Sequence, residues 1–284
     1  MSREQVIARE HRWAGPVAFA TFAATLLFVA GLVLLGRSIG ASGESELLHN
    51  VDSHRSTMVI ATGMQALSVA LLAIPLFYLF RAAEARSSTM RGQLIGVVVA
   101  GPIFLAIAYA LNASINLQAA TDFLANTHHY ATTDLADKAA QHTIDNEGLR
   151  GLAAGFGIGG QLGFAIAMVY TCLNAQRVGL LTRFWGSLGM ALGAVSFLFF
   201  QFTLLWFVYL GLLISGRVPR GRPPAWEAGE AVPWPTPGQV AAGEAGSVAA
   251  EASGRPLPQD GDADAEPANP PRQRGERRKR KRRA

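Results

Sequence analysis

The sequence predicts an all-α fold: a polytopic bundle of transmembrane helices followed by a disordered C-terminal tail. Five long blocks contain no Asp, Glu, Lys, Arg or His, and a bilayer core needs roughly 20 consecutive apolar residues for each spanning helix. Only 16% of all residues are charged, against roughly 25% in an ordinary soluble chain. Residues 216–284 hold 11 of the 14 prolines, which is typical of a segment without a packed core.

The first two apolar blocks each have the length of one span. Residues 14–36 form a run of 23 residues, longer than the 7–15 residues of a signal-peptide core, so we interpret them as a retained first helix. They follow a short cytoplasmic N-terminus, residues 1–13. Residues 57–80 form the second span, and we expect Pro75 to kink it near its end, because proline lacks a backbone N–H.

The remaining blocks give three or four further spans. Residues 93–116 and 151–172 are each long enough to cross once. Residues 184–215 would form a helix of about 48 Å, which is too long for a ~30 Å core, yet they are short for two ordinary spans. A hairpin that turns near residues 199–203 divides this block into spans 184–199 and 201–215.

Basic residues orient the bundle, because cytoplasmic loops collect Lys and Arg. With the N-terminus inside, the inner segments carry 8 basic residues in 36 positions, and the outer loops carry 4 in 54. A hairpin ending also returns the Arg-rich tail to the cytoplasm. We therefore predict six spans with both ends cytoplasmic. The inner segments are residues 1–13, 81–92 and 173–183, and the outer loops are residues 37–56 and 117–150.

Two segments lie outside the predicted membrane region. The acidic loop 117–150 contains a predicted short helix at residues 133–140, with a Thr cap and acidic residues in its first turn. Residues 216–284 have few large apolar side chains, so they cannot bury enough surface to offset the entropy of ordering. We expect this tail to be disordered and cytoplasmic.

The fourth block carries a glycine at every fourth position: Gly151, Gly155, Gly159 and Gly163. On a helix this spacing makes one smooth stripe along which another backbone can approach closely. We expect the stripe to pack against a neighbouring span of the same chain, and homodimerisation through it is the alternative. A phosphate-binding loop is not indicated, because no strand precedes these glycines and no Lys-Ser/Thr ending follows them.

Amides are the main polar groups within the apolar blocks, and Gln65, Gln161 and Asn112 stand out. An amide in hydrocarbon is stabilised by an interhelical hydrogen bond worth about 0.6–2 kcal/mol, so the default interpretation is structural. Gln65 and Gln161 would line a solute path only if both face one cavity. The lack of acidic and basic residues in the blocks argues against a proton pump or an ion-coupled carrier.

We expect no metal, cofactor or catalytic site. Histidines are concentrated in the predicted outer loops, but their spacing matches no known ligand pattern, so we interpret them as solvated; a zinc site shared with Asp52 is the alternative. Cys172 is the only cysteine, and its place near a helix end favours an inert buried thiol. The outer-loop histidines are His49, His54, His128, His129 and His142.

The C-terminus packs nine basic residues into twelve positions. We interpret it as a solubilising, orientation-fixing tail, and reversible contact with anionic lipid, worth about 1 kcal/mol per charge, is the alternative. Nucleic acid is not expected as a partner, since no aromatic residue follows Trp234 to stack on bases. The candidate lipid contacts are Arg277, Arg278, Lys279, Arg280, Lys281, Arg282 and Arg283.

Residues 221–235 read Gly-Arg-Pro-Pro-Ala-Trp-Glu-Ala-Gly-Glu-Ala-Val-Pro-Trp-Pro and follow the last predicted span. This stretch resembles the post-membrane segment of an uncharacterised actinobacterial family of multi-pass integral membrane proteins. The resemblance implies a similar helix plan over residues 10–236 in a bacterial plasma membrane, and it implies no activity or functional residue. We expect Trp226 and Trp234 either at the level of the lipid headgroups or exposed in a disordered linker.

Two classes of function remain. The first is a non-catalytic scaffold or interaction protein that makes contacts through the glycine stripe and the tail. The second is a channel or carrier for a small neutral solute. An enzyme is not expected, because the apolar blocks offer no evident base or nucleophile. A polar cavity at mid-membrane depth bounded by Gln65 and Gln161 would favour transport, whereas a closed, packed bundle would favour the scaffold.

Overall fold

The computed structural model describes residues 2–126, 130–218 and 221–235, without the side chain of Phe199. Every regular element in these ranges is helical. Four stretches are long and apolar enough to cross a bilayer, judged by length and composition, and they are compatible with membrane insertion. The four are Arg3–Ser38, Arg55–Glu84, Gly92–Ala125 and Arg150–Arg177.

The first span, α1 (Arg3–Ser38), begins well before its apolar block, so most of the predicted N-terminal segment is helical. Ser2 explains this start. Its hydroxyl accepts a hydrogen bond from the Gln5 N–H at 3.3 Å, while the Gln5 side chain accepts one from the Ser2 N–H at 3.0 Å. Such a reciprocal pair satisfies two N–H groups that a helix otherwise leaves without partners.

The second span consists of two helices, α3 (Arg55–Leu71) and α4 (Ala73–Glu84), preceded by the short α2 (Glu44–Ser53). The break falls at Leu72, because Pro75 has no N–H to donate to the carbonyl of Leu71. In place of the kink predicted at Pro75, the helix is therefore interrupted about one turn before the proline.

The third and fourth spans are α5 (Ile95–Ala125), entered through a 3-10 turn at Gly92–Leu94, and α7 (Arg150–Arg177). Between them lies α6 (Thr133–Asn146), capped by Thr132 and longer than the predicted 133–140. α2 and α6 pack on the end of α5 around a small apolar cluster that includes Leu48, Phe123 and Ile144. We call this the distal end of the bundle.

The last long element, α8 (Arg183–Ser215), is helical throughout but reverses direction. The Trp206 indole N–H donates to the carbonyl of Trp185 at 2.9 Å, and the rings of Trp185 and Tyr209 stack with centroids 3.6 Å apart. In a straight helix, residues 21 positions apart would be separated by about 32 Å. The reversal lies near Phe197, slightly before the predicted turn at 199–203.

The α8 hairpin reaches only part of the way along the bundle. Its first arm runs beside α7: Gly186 lies against the Gln176 side chain, and Ser196 is hydrogen-bonded to Gln161. Gln161 is still about 15 Å along α7 from Gly151. With the reversal near Phe197, the two arms of α8 are about 21 and about 27 Å long, each less than the ~30 Å of a bilayer core. The structure thus has four helices of spanning length and a shorter hairpin beside them.

Part of the predicted disordered tail is ordered. Residues 221–235, which include the short helix α9 (Ala225–Ala228), pack on the end of the bundle that carries the start of α1. We call this segment the strap and this end the proximal end. Trp226 is only 5% exposed, so the alternative in which it is exposed in a disordered linker is wrong. The strap is ordered because it buries its indole against the bundle instead of needing a core of its own.

Candidate functional site

The four glycines of the predicted stripe lie on different faces of α7. An added Cβ at Gly163 would lie 2.9 Å from the Cα of Gly101 on α5. At Gly151 and Gly155 an added Cβ would meet no described atom within 4 Å, and at Gly159 it would meet only the edge of the Phe104 ring at 4.0 Å. Of the four, Gly163 alone makes the expected close approach within the chain. The other three are exposed.

The close contact between α5 and α7 depends on a second glycine series. At Gly160 an added Cβ would lie 2.4 Å from the Leu105 nitrogen, which no side chain could tolerate. Gly157 lies next in the series, with an added Cβ at 3.8 Å from the Cβ of Ala108. Because the two helices cross, the contact moves around α7 at a spacing of three residues. Sequence reasoning singled out the spacing of four, although the spacing of three was also present.

A cleft of about 500 Å³ lies between α5 and α7, directly beyond the tip of the α8 hairpin. Tyr109 and Asn112 of α5, Gln161 of α7 and Phe197 at the tip line it. The Gln161 Nε2 donates to the Ser196 Oγ at 2.9 Å. The cleft can therefore offer hydrogen bonds to an uncharged group. Its other lining residues are apolar: Leu105, Ala108, Gly157, Ile158 and Leu162.

Gln65 lies away from this cleft. Its side chain is 5% exposed and packs under α1, where an added Cβ at Gly31 would lie 3.0 Å from the Gln65 Cγ. Gln161, by contrast, faces α8. The structure does not bring the two glutamines to one cavity, because α3 turns its amide toward α1 while α7 packs on α5 and α8.

At the proximal end the structure reveals a buried ion pair that sequence reasoning missed. Arg86 Nη1 and Nη2 donate to the two oxygens of the Glu10 carboxylate, at 2.5 and 2.9 Å. The Arg86 side chain is 0% exposed and the Glu10 side chain is 6% exposed. Arg86 Nε also donates to the carbonyl of Ala225 in the strap at 3.1 Å. The pair therefore joins α1, the end of α4 and the strap. Arg86 had counted only as one of the inner-loop cations.

Two strap indoles bind the connection between α7 and α8. Trp226 Nε1 donates to the carbonyl of Leu180 at 2.9 Å, and Trp234 Nε1 donates to that of Leu181 at 2.9 Å. The Trp226 ring is stacked on Tyr78, with centroids 6.1 Å apart. Gly179 has a φ of +80°, and an added Cβ there would lie 2.0 Å from the carbonyl oxygen of Val232. Glycine is therefore required at this position.

At the distal end, α6 caps α2. The Asp137 carboxylate accepts hydrogen bonds from the Ser45 N–H at 2.9 Å and from the Ser45 hydroxyl at 2.5 Å. These bonds lower the pKa of Asp137 below its ordinary value. The cap replaces the side-chain cap that Gly43, the residue before α2, cannot supply.

The predicted outer-loop histidines form no ligand cluster in the described part of the chain. No group of three His, Cys, Asp or Glu side chains lies close enough there to hold a metal ion. His49 packs edge-on against Phe123, and His142 is bonded to Asn146. His128 and His129 fall outside the described residues, as do the basic positions 277–283.

Comparison with protein-family models, with curated proteins and with solved structures finds no match.

Proposed function

We propose that this protein is a non-catalytic membrane scaffold that associates with a second copy of itself through the outward face of α7. The observation that supports the proposal is the exposure of Gly151, Gly155 and Gly159 on that face. Glycine inside a helix costs roughly 0.5–1 kcal/mol relative to alanine. Internal packing explains Gly160 and Gly163 but does not explain the three exposed glycines.

Close approach of a second helix accounts for them. A smooth glycine groove lets two backbones come together, and in lipid such van der Waals packing is what drives helix association. Apolar side chains flank the groove and fit the same surface on a second copy, which gives a two-fold interface. We call this surface the α7 ridge. Its exposed flanking residues are Leu152, Ile158, Leu162 and Ile166.

The proposed topology places the protein in a bacterial plasma membrane with the proximal end, and therefore both chain ends, in the cytoplasm. We infer that α8 enters and leaves on the cytoplasmic side without crossing, so that four spans and a re-entrant hairpin replace the predicted six spans. The short arms and the proximity of Ser196 to Gln161 support this. From the resemblance of residues 221–235, we also propose that the protein belongs to the uncharacterised actinobacterial family of multi-pass membrane proteins.

The basic tail is proposed to contact anionic lipid on the cytoplasmic leaflet. Truncation after Pro235 removes residues 236–284 and leaves the strap in place. Binding of the truncated protein to vesicles containing phosphatidylglycerol should weaken relative to the full chain, and the loss should shrink in high salt. Equal binding of the two forms would refute the lipid contact.

Transport of a small neutral solute is the second candidate. The cleft beside Gln161 and Asn112 favours it, because it is a partly polar cavity next to a hairpin tip. The position of Gln65 under α1 counts against the two-glutamine path. We therefore rank the scaffold first.

Substitution on the α7 ridge tests the scaffold proposal. Gly155→Leu adds a large side chain where no described atom lies within 4 Å, so the fold should tolerate it while the interface does not. We expect the dimer dissociation constant in proteoliposomes to rise at least tenfold, measured by single-molecule photobleaching. Gly63→Leu is the matched control, since Gly63 is an exposed glycine of α3 with equally open space. Unchanged association of Gly155→Leu, or equal loss in Gly63→Leu, would refute the ridge interface.

Two labels test the topology. A reporter that is active only in the cytoplasm is fused after Ala284, and we expect this fusion to be active. A Leu198→Cys variant places a thiol at the exposed hairpin tip, and we expect an impermeant maleimide added outside the cell not to reach it; the native Cys172 is fully buried. Labelling of residue 198 from outside would favour six complete spans.

A further inference from the structure

Three polar side chains in the cleft keep hydrogen-bonding capacity that no described residue uses. The Tyr109 hydroxyl makes no hydrogen bond with the described part of the chain. Asn112 spends one N–H on its own helix, at the carbonyl of Ala108, and Gln161 spends one on Ser196. Each amide retains a second N–H and its carbonyl oxygen.

The depth of these groups makes the spare capacity costly. Gln161 lies about 15 Å along α7 from Gly151, which is near the middle of a ~30 Å core. A polar group left without a partner in hydrocarbon costs several kcal/mol. The cleft therefore favours an occupant that carries its own polar atoms to this depth.

The lining also restricts the chemistry of the occupant. None of the residues lining the cleft is acidic or basic, so a phosphate or carboxylate would have no countercharge. A phospholipid keeps its headgroup at the interface and would bring only its acyl chain. The occupant must combine an uncharged hydrogen-bonding head with an apolar tail. The rings of Tyr109 and Phe197 border the space and suit a flat head.

We propose that the cleft binds a lipid-soluble quinone. Its ring carbonyls accept hydrogen bonds from the Tyr109 hydroxyl and from the free N–H groups of Asn112 and Gln161. Its tail leaves past Ile158 and Leu162, which line the cleft and are 64% and 59% exposed on the outer side of α7. Glycine at position 157 keeps the space open, because a side chain there would project toward Ala108.

The cleft and the α7 ridge share Ile158 and Leu162 at their border but differ in the residues that carry each proposal. The polar groups of the cleft belong to α5 and to the α8 side of α7, whereas Gly151, Gly155 and Gly159 face away from the bundle. A ridge variant that is monomeric should still bind the quinone, and a cleft variant should still dimerise.

The test uses the full chain in nanodiscs and a benzoquinone with a decyl tail as the probe. After removal of free probe, bound quinone is extracted and quantified, and uptake by protein-free discs is subtracted. We expect saturable binding of about one quinone per chain. Asn112→Leu and Gln161→Leu should each raise the dissociation constant at least tenfold, and Gly157→Leu should abolish binding by filling the cleft.

Gln65→Leu is the matched control, because it removes an intramembrane amide that does not line the cleft. It should bind as the unmodified protein does. Decylbenzene, which has the tail without carbonyls, should not compete. Non-saturable uptake, equal affinity in the Asn112 and Gln161 variants, or full competition by decylbenzene would each overturn the proposal, the last by showing that the cleft accepts any hydrocarbon chain.

Discussion

The two ends of the bundle are closed by different kinds of interaction. At the proximal end, charged and indole side chains reach across the whole sequence, as from Arg86 to the carbonyl of Ala225, 139 positions away. At the distal end, α2 and α6 close the bundle through a small apolar cluster, and the half-buried Asp137 carboxylate of α6 accepts hydrogen bonds from Ser45 of α2.

This difference shows how burial sets the importance of a polar contact. The Glu10–Arg86 pair is almost completely buried, so each charge depends on the other. Asp137 is only half-buried, so water can replace much of the hydrogen bonding that its carboxylate supplies. Polar substitutions should therefore be severe at the proximal end and mild at the distal end.

The largest effect is expected from breaking the buried pair. Arg86→Leu leaves the Glu10 carboxylate buried without its partner, which costs about 3–5 kcal/mol of unfolding free energy. Thermal unfolding in detergent, followed by thiol labelling of Cys172, measures the loss. Arg81→Leu, which removes an exposed ion pair with Glu84 in the same helix, should cost about 0–1 kcal/mol.

The double variant Glu10→Leu/Arg86→Leu sharpens this result. Replacing both charges removes the unpaired carboxylate, so stability should recover by more than half of the Arg86→Leu loss. A double variant as unstable as Arg86→Leu alone would show that the contacts of Arg86 with Ala82 and Ala225, and not its charge, dominate.

An intermediate effect is expected from one indole N–H. Trp226→Phe keeps an aromatic ring against Tyr78 but leaves the carbonyl of Leu180 without its donor, at a cost of about 1–3 kcal/mol. Hydrogen exchange should rise in the strap and in residues 178–182. Trp13→Phe, at an indole 55% exposed near the same end, is the control and should change neither. Undisturbed exchange in Trp226→Phe would contradict the role of this bond.

The smallest effect is expected at the distal end and depends on pH. Folding lowers the pKa of Asp137 below 3.8, so its contribution to stability is present at neutral pH and is lost as the pH falls through the folded value. Asp137→Asn should lower the melting temperature slightly at pH 7, and the two proteins should converge as the pH falls below the folded pKa of Asp137. Asp122→Asn, at an exposed position of α5, should show no such convergence.

Much of the fold follows from local sequence signals. Uncharged runs identified the four spanning stretches, and the length of residues 184–215 indicated the hairpin. Helix ends were less predictable: α1 starts at Arg3 and α5 continues to Ala125, because capping by Ser2 and packing of α2 and α6 extend them beyond the apolar blocks.

The strap and the cleft were not predictable for a physical reason. The proline and glycine content of residues 221–235 predicts disorder when the segment is considered alone. The segment is ordered because it contacts Arg86 and Leu180, which are distant in sequence. Likewise, the spacing of the glycines identifies a smooth face of α7 but does not predict which helix packs against that face. Gln65 and Gln161 gave the same signal and lie in different surroundings.

The strap also affects how the chain is made. Its residues leave the ribosome after the four helices of spanning length and the hairpin, so the carbonyls of Leu180 and Leu181 have no indole donors until the strap has been made. A chain that stops before Trp226 would insert its helices and still expose an unfinished surface at one end.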